Sequence, residues 1–333
     1  MIPTVPFIGD AAAVGLLDLD RAYAAVADAY RQAAAAGPVL STPPALLMCH
    51  PSAPRIEMKA KGAQLPRQRV AGFRIVADRH DAEGDASHDV QWLYDMDTAR
   101  PLGMVEMNTL HAVRTALTGV VALEALRGQA CEKVAVLGAG RIAKWLVRVL
   151  AARTAPREIR VVGFRPGRGG ALAASHGASV VGVDTVDDAV AGADAVIGIS
   201  SARQPILHAR HLRPGMTVIG MGGGHEFDVS VLHAAGRFIV DELAFASVTG
   251  SLGAWIAAGT LDGLAAHARL DAELGQVLQG AAGRTGPDQI VFAIVQGMAC
   301  CDLAVAADIL ARGTAGPHPG PFPAGGCPDM LPP

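Results

Sequence analysis

Gly138, Gly140 and Ala143 stand at the spacing G-x-G-x-x-A, directly after the apolar run Val134-Ala-Val-Leu137. That run reads as a buried strand, and Ala143-Lys-Trp-Leu-Val-Arg-Val-Leu150 continues as a helix. In this context each small residue has a physical task. Gly138 allows the tight turn, Gly140 lets backbone approach a pyrophosphate, and Ala143 lets the helix pack closely on the strand. The helix start at Arg141 and Ile142 offers free N–H groups and a partial positive charge. A second strand, Glu158-Ile-Arg-Val-Val-Gly163, ends about 20–25 residues past the glycines, where NAD-binding chains usually carry an Asp or Glu for the ribose hydroxyl. Here the tip reads Phe164-Arg165-Pro166-Gly167-Arg168. It holds no carboxylate and two guanidinium groups, which suit a 2′-phosphate by charge and by paired N–H donors. NADP(H) is therefore expected over NAD(H), with a solvated basic turn as the alternative for the two arginines.

The elements around this fingerprint define an α/β chain. Residues 11–36 are Ala-rich with Leu19, Tyr23, Val26 and Tyr30 at helical spacing, so a helix opens the chain. Short extended runs follow at Arg55–Met58, Val70–Val76 and Val90–Tyr94, with a polar loop over Asp78–Asp89 and a hairpin turn over Asp95–Pro101. This predicts an α+β platform built before the nucleotide unit. A helix over Leu110–Leu126 leads into the first Rossmann strand. Downstream, Ala195–Ile199 is a strand ending in Ser200-Ser201, whose hydroxyls would face the cofactor, and Thr217–Gly220 and Phe238–Val240 are two more. Residues 288–312 read as one long helix, and the Gly/Pro-rich stretch 313–333 as a segment of little order. The expected division is a platform over 1–112, a Rossmann domain over 113–300, a helix over 301–312 returning to the platform, and a tail over 313–333.

Composition narrows the class. The chain has 333 residues, 51% hydrophobic and 4% aromatic, with a formal net charge of −3, and carries no electrostatic footprint for nucleic acid. No apolar run reaches transmembrane length, and Met1-Ile-Pro-Thr-Val-Pro-Phe7 lacks the charged start and apolar core of a signal peptide. The five cysteines show no C-x-x-C spacing. A cytoplasmic, disulfide-free enzyme is the expectation.

Over nearly its whole length the chain resembles the ornithine cyclodeaminase/mu-crystallin family. The resemblance rests on Asp97-Thr98-x-x-Pro101, Thr109-x-x-x-x-Arg114-Thr115 ahead of the fingerprint, and Ala193-Asp194 leading into Ile199-Ser200-Ser201. Gln204-Pro205, Leu212-x-Pro214-Gly215, Glu226-Phe227-Asp228 and Gly283-Arg284 complete it. It implies a platform domain that dimerises, a Rossmann domain that binds NAD(P), and chemistry on imines, ketimines or amino acids. It places Thr115, Ser200, Ser201, Met221 and Gly222 beside the cofactor.

The resemblance also implies site residues, with departures. Arg114 matches the arginine that grips a substrate carboxylate, a task its planar fork suits; an interdomain salt bridge is the alternative. Arg74 stands where the family has a lysine. An arginine keeps the binding charge but is a poor acid–base group. Pro43-Pro44 is followed by Ala45 instead of the family's arginine, so Arg55 or Lys59 would have to reach that space. Lys59 resembles a lysine in part of the family and would donate a proton if burial lowers its pKa; a solvated strand-face charge is the alternative. The loop Gly220-Met221-Gly222-Gly223-Gly224-His225 lacks the aspartate of deaminating members. That leaves His225 as a proton-handling candidate. The leading reading is an NADPH-dependent reductase of a small imine, or of a keto acid with an amine, running reversibly as an amino-acid dehydrogenase. An ornithine or lysine cyclodeaminase and a non-catalytic ligand-binding protein are the alternatives.

Overall fold

Alternation of side chains gives this molecule its first layer. Leu65, Val70, Leu93 and Val105 are buried, while Phe73, one residue before the buried Arg74, is exposed. A computed structural model describes residues 5–36, 40, 41, 43, 45–49, 55–81, 84–128 and 131–314. A six-stranded sheet runs in the order β1-β6-β5-β4-β3-β2, and an eight-stranded sheet in the order β13-β12-β14-β11-β10-β7-β8-β9. The first contains β1 (Phe7–Ile8), β2 (Leu46–Cys49), β3 (Arg55–Leu65), β4 (Val70–Asp81), β5 (Gly84–Asp95) and β6 (Pro101–Glu106). Its pairs are antiparallel except β1 with β6. The second is wholly parallel and contains β7 (Lys133–Leu137), β8 (Glu158–Val162), β9 (Val180–Val183) and β10 (Ala195–Gly198). β11 (Thr217–Gly220), β12 (Arg237–Val240), β13 (Ala272–Glu273) and β14 (Val291–Ile294) complete it.

One face of the six-stranded sheet is covered by the helix Ala299–Gly313, and the helix Leu19–Ala36 packs on that helix in turn. The Leu110–Leu126 helix packs against both of these and also against the Arg141–Val149 helix of the nucleotide sheet, which explains why it is buried along nearly its whole length. In the parallel sheet β7 lies between β8 and β10, so the connections leave it in opposite directions. A crevice opens at such a switch point, beyond the carboxyl ends of the strands.

Three expectations need correcting. The opening helix is two, Asp10–Gly15 and Leu19–Ala36, because the Asp18 carboxylate accepts the N–H groups of Asp20 and Arg21 and starts a new helix. Residues 288–312 are not one helix: Val291–Ile294 is the buried strand β14, and only Ala299–Gly313 is helical. A short apolar run carries no period that separates the two. The Asp78–Asp89 stretch is no polar loop but the far ends of β4 and β5, paired as far as Asp81 with Gly84. The helix after the fingerprint is as expected, running from Arg141 to Val149 and on through a wider π turn over Leu150–Thr154. Residues 315–333, with most of the Gly/Pro-rich stretch, lie outside the described residues, as does the Arg55 side chain. Among the described residues no helix is long and apolar enough to cross a membrane.

Candidate active site

The carboxyl ends of β7, β8, β10 and β11 surround a cleft of about 510 Å³. Gly138, φ +137°, could not be replaced: a Cβ there would lie 2.5 Å from the Ile199 carbonyl oxygen. Gly140 faces open space at the start of the Arg141–Val149 helix, where a phosphate would meet free N–H groups. Ala143 is fully buried beneath. Arg165 and Arg168 are exposed and line the cleft beside Phe164, with Ser200, Ser201 and Met221 on the far side. These groups fit a phosphorylated dinucleotide. Arg141 lines the cleft too, and its Nη1 donates to the Asn108 carbonyl (2.7 Å), tying the fingerprint to the entry of the Leu110–Leu126 helix.

Beneath the cleft, Glu226 holds two loops together. Its carboxylate accepts the Ser200 N–H after β10 and the Gly222 N–H (2.8 Å) after β11. Burial pushes the carboxyl up to about 7, against the pull of those donors. Phe227 fills the space under Gly198 and Gly220, and Asp228 caps the next helix.

A second polar group lies between the platform sheet and the Leu110–Leu126 helix. Arg74 on β4 donates from Nε (2.8 Å) and Nη2 to the two carboxylate oxygens of Asp89 on β5. Its Nη1 stands 3.8 Å from Asp302 Oδ2. Arg114 is 1% exposed; its Nε donates to Asp302 Oδ1, and its Nη1 has no hydrogen-bond partner among the described residues. Gly297, φ +78°, makes room for that nitrogen, since a Cβ there would come within 2.0 Å of Nη1. Burial alone would raise the Asp302 carboxyl, but the Arg114 and Arg74 guanidiniums outweigh it and hold it well below the usual range. His111 reaches Asp302 from one turn before Arg114 (3.3 Å), and burial beside Arg114 lowers its pKa to about 3, so the imidazole is neutral. Lys61 on β3 completes the group. It lines a small pocket with Leu40, Phe245 and Gly297, and its Nζ stands 4.5 Å from the centre of the Phe245 ring. Burial, then Arg114, lower its pKa to about 8, against the pull of Asp302.

The sequence-derived residues divide accordingly. Arg74 and Arg114 are brought together. Lys59 is not with them: it is 40% exposed and bonded to the Glu57 carboxylate, with Asp78 3.7 Å away. Lys61, two residues along the same strand face, is half-buried and the one whose surroundings lower its pKa, and strand alternation was a signal that could have found it. His225 is exposed, and the buried titratable group of its loop is Glu226. Thr115 is buried with its hydroxyl donating to the His111 carbonyl (2.7 Å). Met221 packs its sulfur against Gly119, joining the cleft to the helix that carries Arg114. Among the described residues no three His, Cys, Asp or Glu side chains converge as a metal site.

The model of the ornithine cyclodeaminase/mu-crystallin family matches residues 10–315. A Rhizobium meliloti protein that carries the provisional name of a dehydrogenase is 31% identical over 316 residues, 90% of this chain and 93% of that protein. The iminosuccinate reductase of Paracoccus denitrificans is 30% identical over 226 residues, 65% of this chain and 67% of that protein. Among solved structures, the Thermococcus litoralis Δ1-pyrroline-2-carboxylate reductase in complex with NADH and L-proline superimposes with a TM-score of 0.79. The match is 16% identical and covers 95% of this chain and 98% of that chain, a likeness of fold.

Proposed function

The chain belongs to the ornithine cyclodeaminase/mu-crystallin family, and from that premise we propose that it is an NAD(P)-dependent oxidoreductase that reduces a C=N bond next to a carboxylate. The substrate is an imine or ketimine, preformed or arising from a keto acid and an amine, and the reaction runs reversibly as an amino-acid dehydrogenase. The observation that carries this reading is the Arg114 Nη1, buried without a partner among the described residues, at the Gly297 backbone that Lys61 also borders. An unpaired buried donor of this kind costs about 1–3 kcal/mol, which a ligand carboxylate recovers.

Each group then has a task. Arg114 takes one carboxylate oxygen, with Asp302 fixing its fork from behind. In an α-imino acid the imine nitrogen and the second carboxylate oxygen lie close together, so the Lys61 ammonium can donate to both. Lys61 delivers the proton to that nitrogen, a role that its lowered pKa of about 8 suits. Neutral His111 keeps Asp302 in place without adding charge. A bound nicotinamide supplies the hydride. We take the cofactor to be NADP(H), because Arg165 and Arg168 border the cleft where a carboxylate would repel a 2′-phosphate. We also take the active form to be a homodimer built on the platform.

The test is a panel of cyclic imino acids and keto acid–amine pairs, followed by NADPH and NADH oxidation. The expected result is turnover with NADPH preferred. Arg165→Ala should weaken NADPH selectively, by about 1–3 kcal/mol if a charge-assisted pair is lost. Ammonia release from ornithine or lysine without net cofactor change would instead make the chain a cyclodeaminase. Cofactor binding without any turnover would make it a binding protein.

A further inference from the structure

Three cationic side chains enter the buried group, yet they are not equally open to a ligand. Arg74 has both edges of its fork engaged: Nε and Nη2 meet the two oxygens of Asp89, and Nη1 faces Asp302 at 3.8 Å. Arg74 is 5% exposed and Asp89 4%, so water does not compete for either. Arg114 differs, with Nη1 buried and, among the described residues, unpartnered. Among the described residues Lys61 has a ring face and nearby charges around its ammonium, and it borders the same Gly297 backbone that makes room for Arg114 Nη1. The donors left for a ligand thus sit together, on Arg114 and Lys61.

We propose that Asp89 is a specificity-determining residue: by closing the fork of Arg74 it leaves donors for one carboxylate, so the chain takes monocarboxylic imines and rejects dicarboxylic ones. The inference rests on the C=N reduction proposed above and names its substrate class. The chemistry is one of competition. A second substrate carboxylate would have to displace Asp89 from Arg74, which strands a buried carboxylate without its partner. Failing that, it would lie in the pocket with no cation of its own. Register explains how the pair forms: Arg74 stands opposite Gln91, so Asp89 is its diagonal neighbour on the same sheet face.

The experiment compares wild type with Asp89→Asn. Substrates are pyruvate with ammonia and Δ1-pyrroline-2-carboxylate as monocarboxylates, and oxaloacetate with ammonia as the dicarboxylate. For each, NADPH oxidation is measured, together with calorimetric binding of pyruvate and of oxaloacetate to the cofactor-loaded protein. Wild type is expected to favour the monocarboxylates in both measurements. Asp89→Asn should shift the ratio toward the dicarboxylate by roughly tenfold or more, the scale of one charge-assisted hydrogen bond. Equal loss on both classes, or a wild type that favours oxaloacetate, overturns the proposal. If Asp89→Asn does not fold, the wild-type binding ratio decides alone. If no compound is reduced, C=N reduction fails, while the binding ratios still judge Asp89.

Discussion

At the scale of single residues, two lysines on one strand show what a sequence reveals and what it hides. Lys59 and Lys61 share a face of β3, and either could carry a proton. What separates them is surroundings: Lys59 sits with Glu57 and Asp78, whereas Lys61 lies over the Phe245 ring, desolvated and within the field of Arg114 and Asp302. Burial sets the sign of the pH dependence. The folded pKa of about 8 lies below the ordinary 10.5, so Lys61 is an acid below about 8 and a free amine above it. Reductive turnover should therefore fall as pH rises through about 8, while the oxidative direction rises over the same range. Lys61→Met should remove that limb and lower kcat/KM by roughly 10²–10⁴-fold, the usual worth of a positioned acid. Lys61→Arg should keep the charge and still lack the limb; a full profile in Lys61→Arg would show that another group moves the proton. Arg74 and Arg114 were legible through the family resemblance, on the motifs that surround them. Their partners Asp89 and Asp302 were not, because each approaches from a different element: the neighbouring strand and the helix near the end of the described chain.

At the scale of elements, the loops after β10 and β11 form one wall of the nucleotide cleft, and Glu226 is their common anchor. Both carboxylate oxygens accept backbone N–H groups only when the group is ionised, which requires a pH above about 7. Protonation turns one oxygen into a donor facing a donor. The cofactor KM should therefore rise as pH falls through about 7, with kcat less affected. Glu226→Gln should raise that KM by about tenfold at high pH and flatten its pH dependence, as loss of a charged acceptor implies. An unchanged profile in Glu226→Gln would leave Glu226 a packing residue. The strand–turn–helix of the fingerprint was readable in advance because each glycine answers a local steric demand. β14 was not: its four residues are buried between β11 and β12, so nothing in its own pattern marks it as strand. The long β4–β5 hairpin was hidden for the opposite reason, since its outer half is polar and reads as loop.

At the scale of the whole molecule, the six-stranded sheet has one face covered by the Ala299–Gly313 helix and one on which, among the described residues, apolar side chains stay exposed. On the open side Ile56 is 39% exposed and Phe73 48%; on the edge strand β2, Leu46 and Met48 share that side at 56% and 64%, while Leu47, opposite Lys59, is 61% exposed on the other. Scattered exposed apolar residues need no explanation, but an apolar edge strand beside an apolar sheet face is a surface that soluble chains cover or blunt with charge. β2 has neither charge nor proline among Leu46, Leu47, Met48 and Cys49. A second copy of the chain is the occupant we propose, with sheet packing on sheet or β2 pairing with its equivalent. Lys61, Arg74 and Asp89 face the opposite, covered side, so dimerisation would stiffen the strands that hold them without blocking the site. Sedimentation at micromolar concentration should give a species of twice the chain mass. Leu47→Lys and Phe73→Glu, on the edge and on the face, should each shift it toward the monomer. Turnover should fall as the dimer dissociates, with the cofactor KM changing less, because the nucleotide cleft belongs to the other sheet. A wild-type protein that sediments as a monomer at that concentration defeats the assignment, and a dimer insensitive to both substitutions places the interface elsewhere.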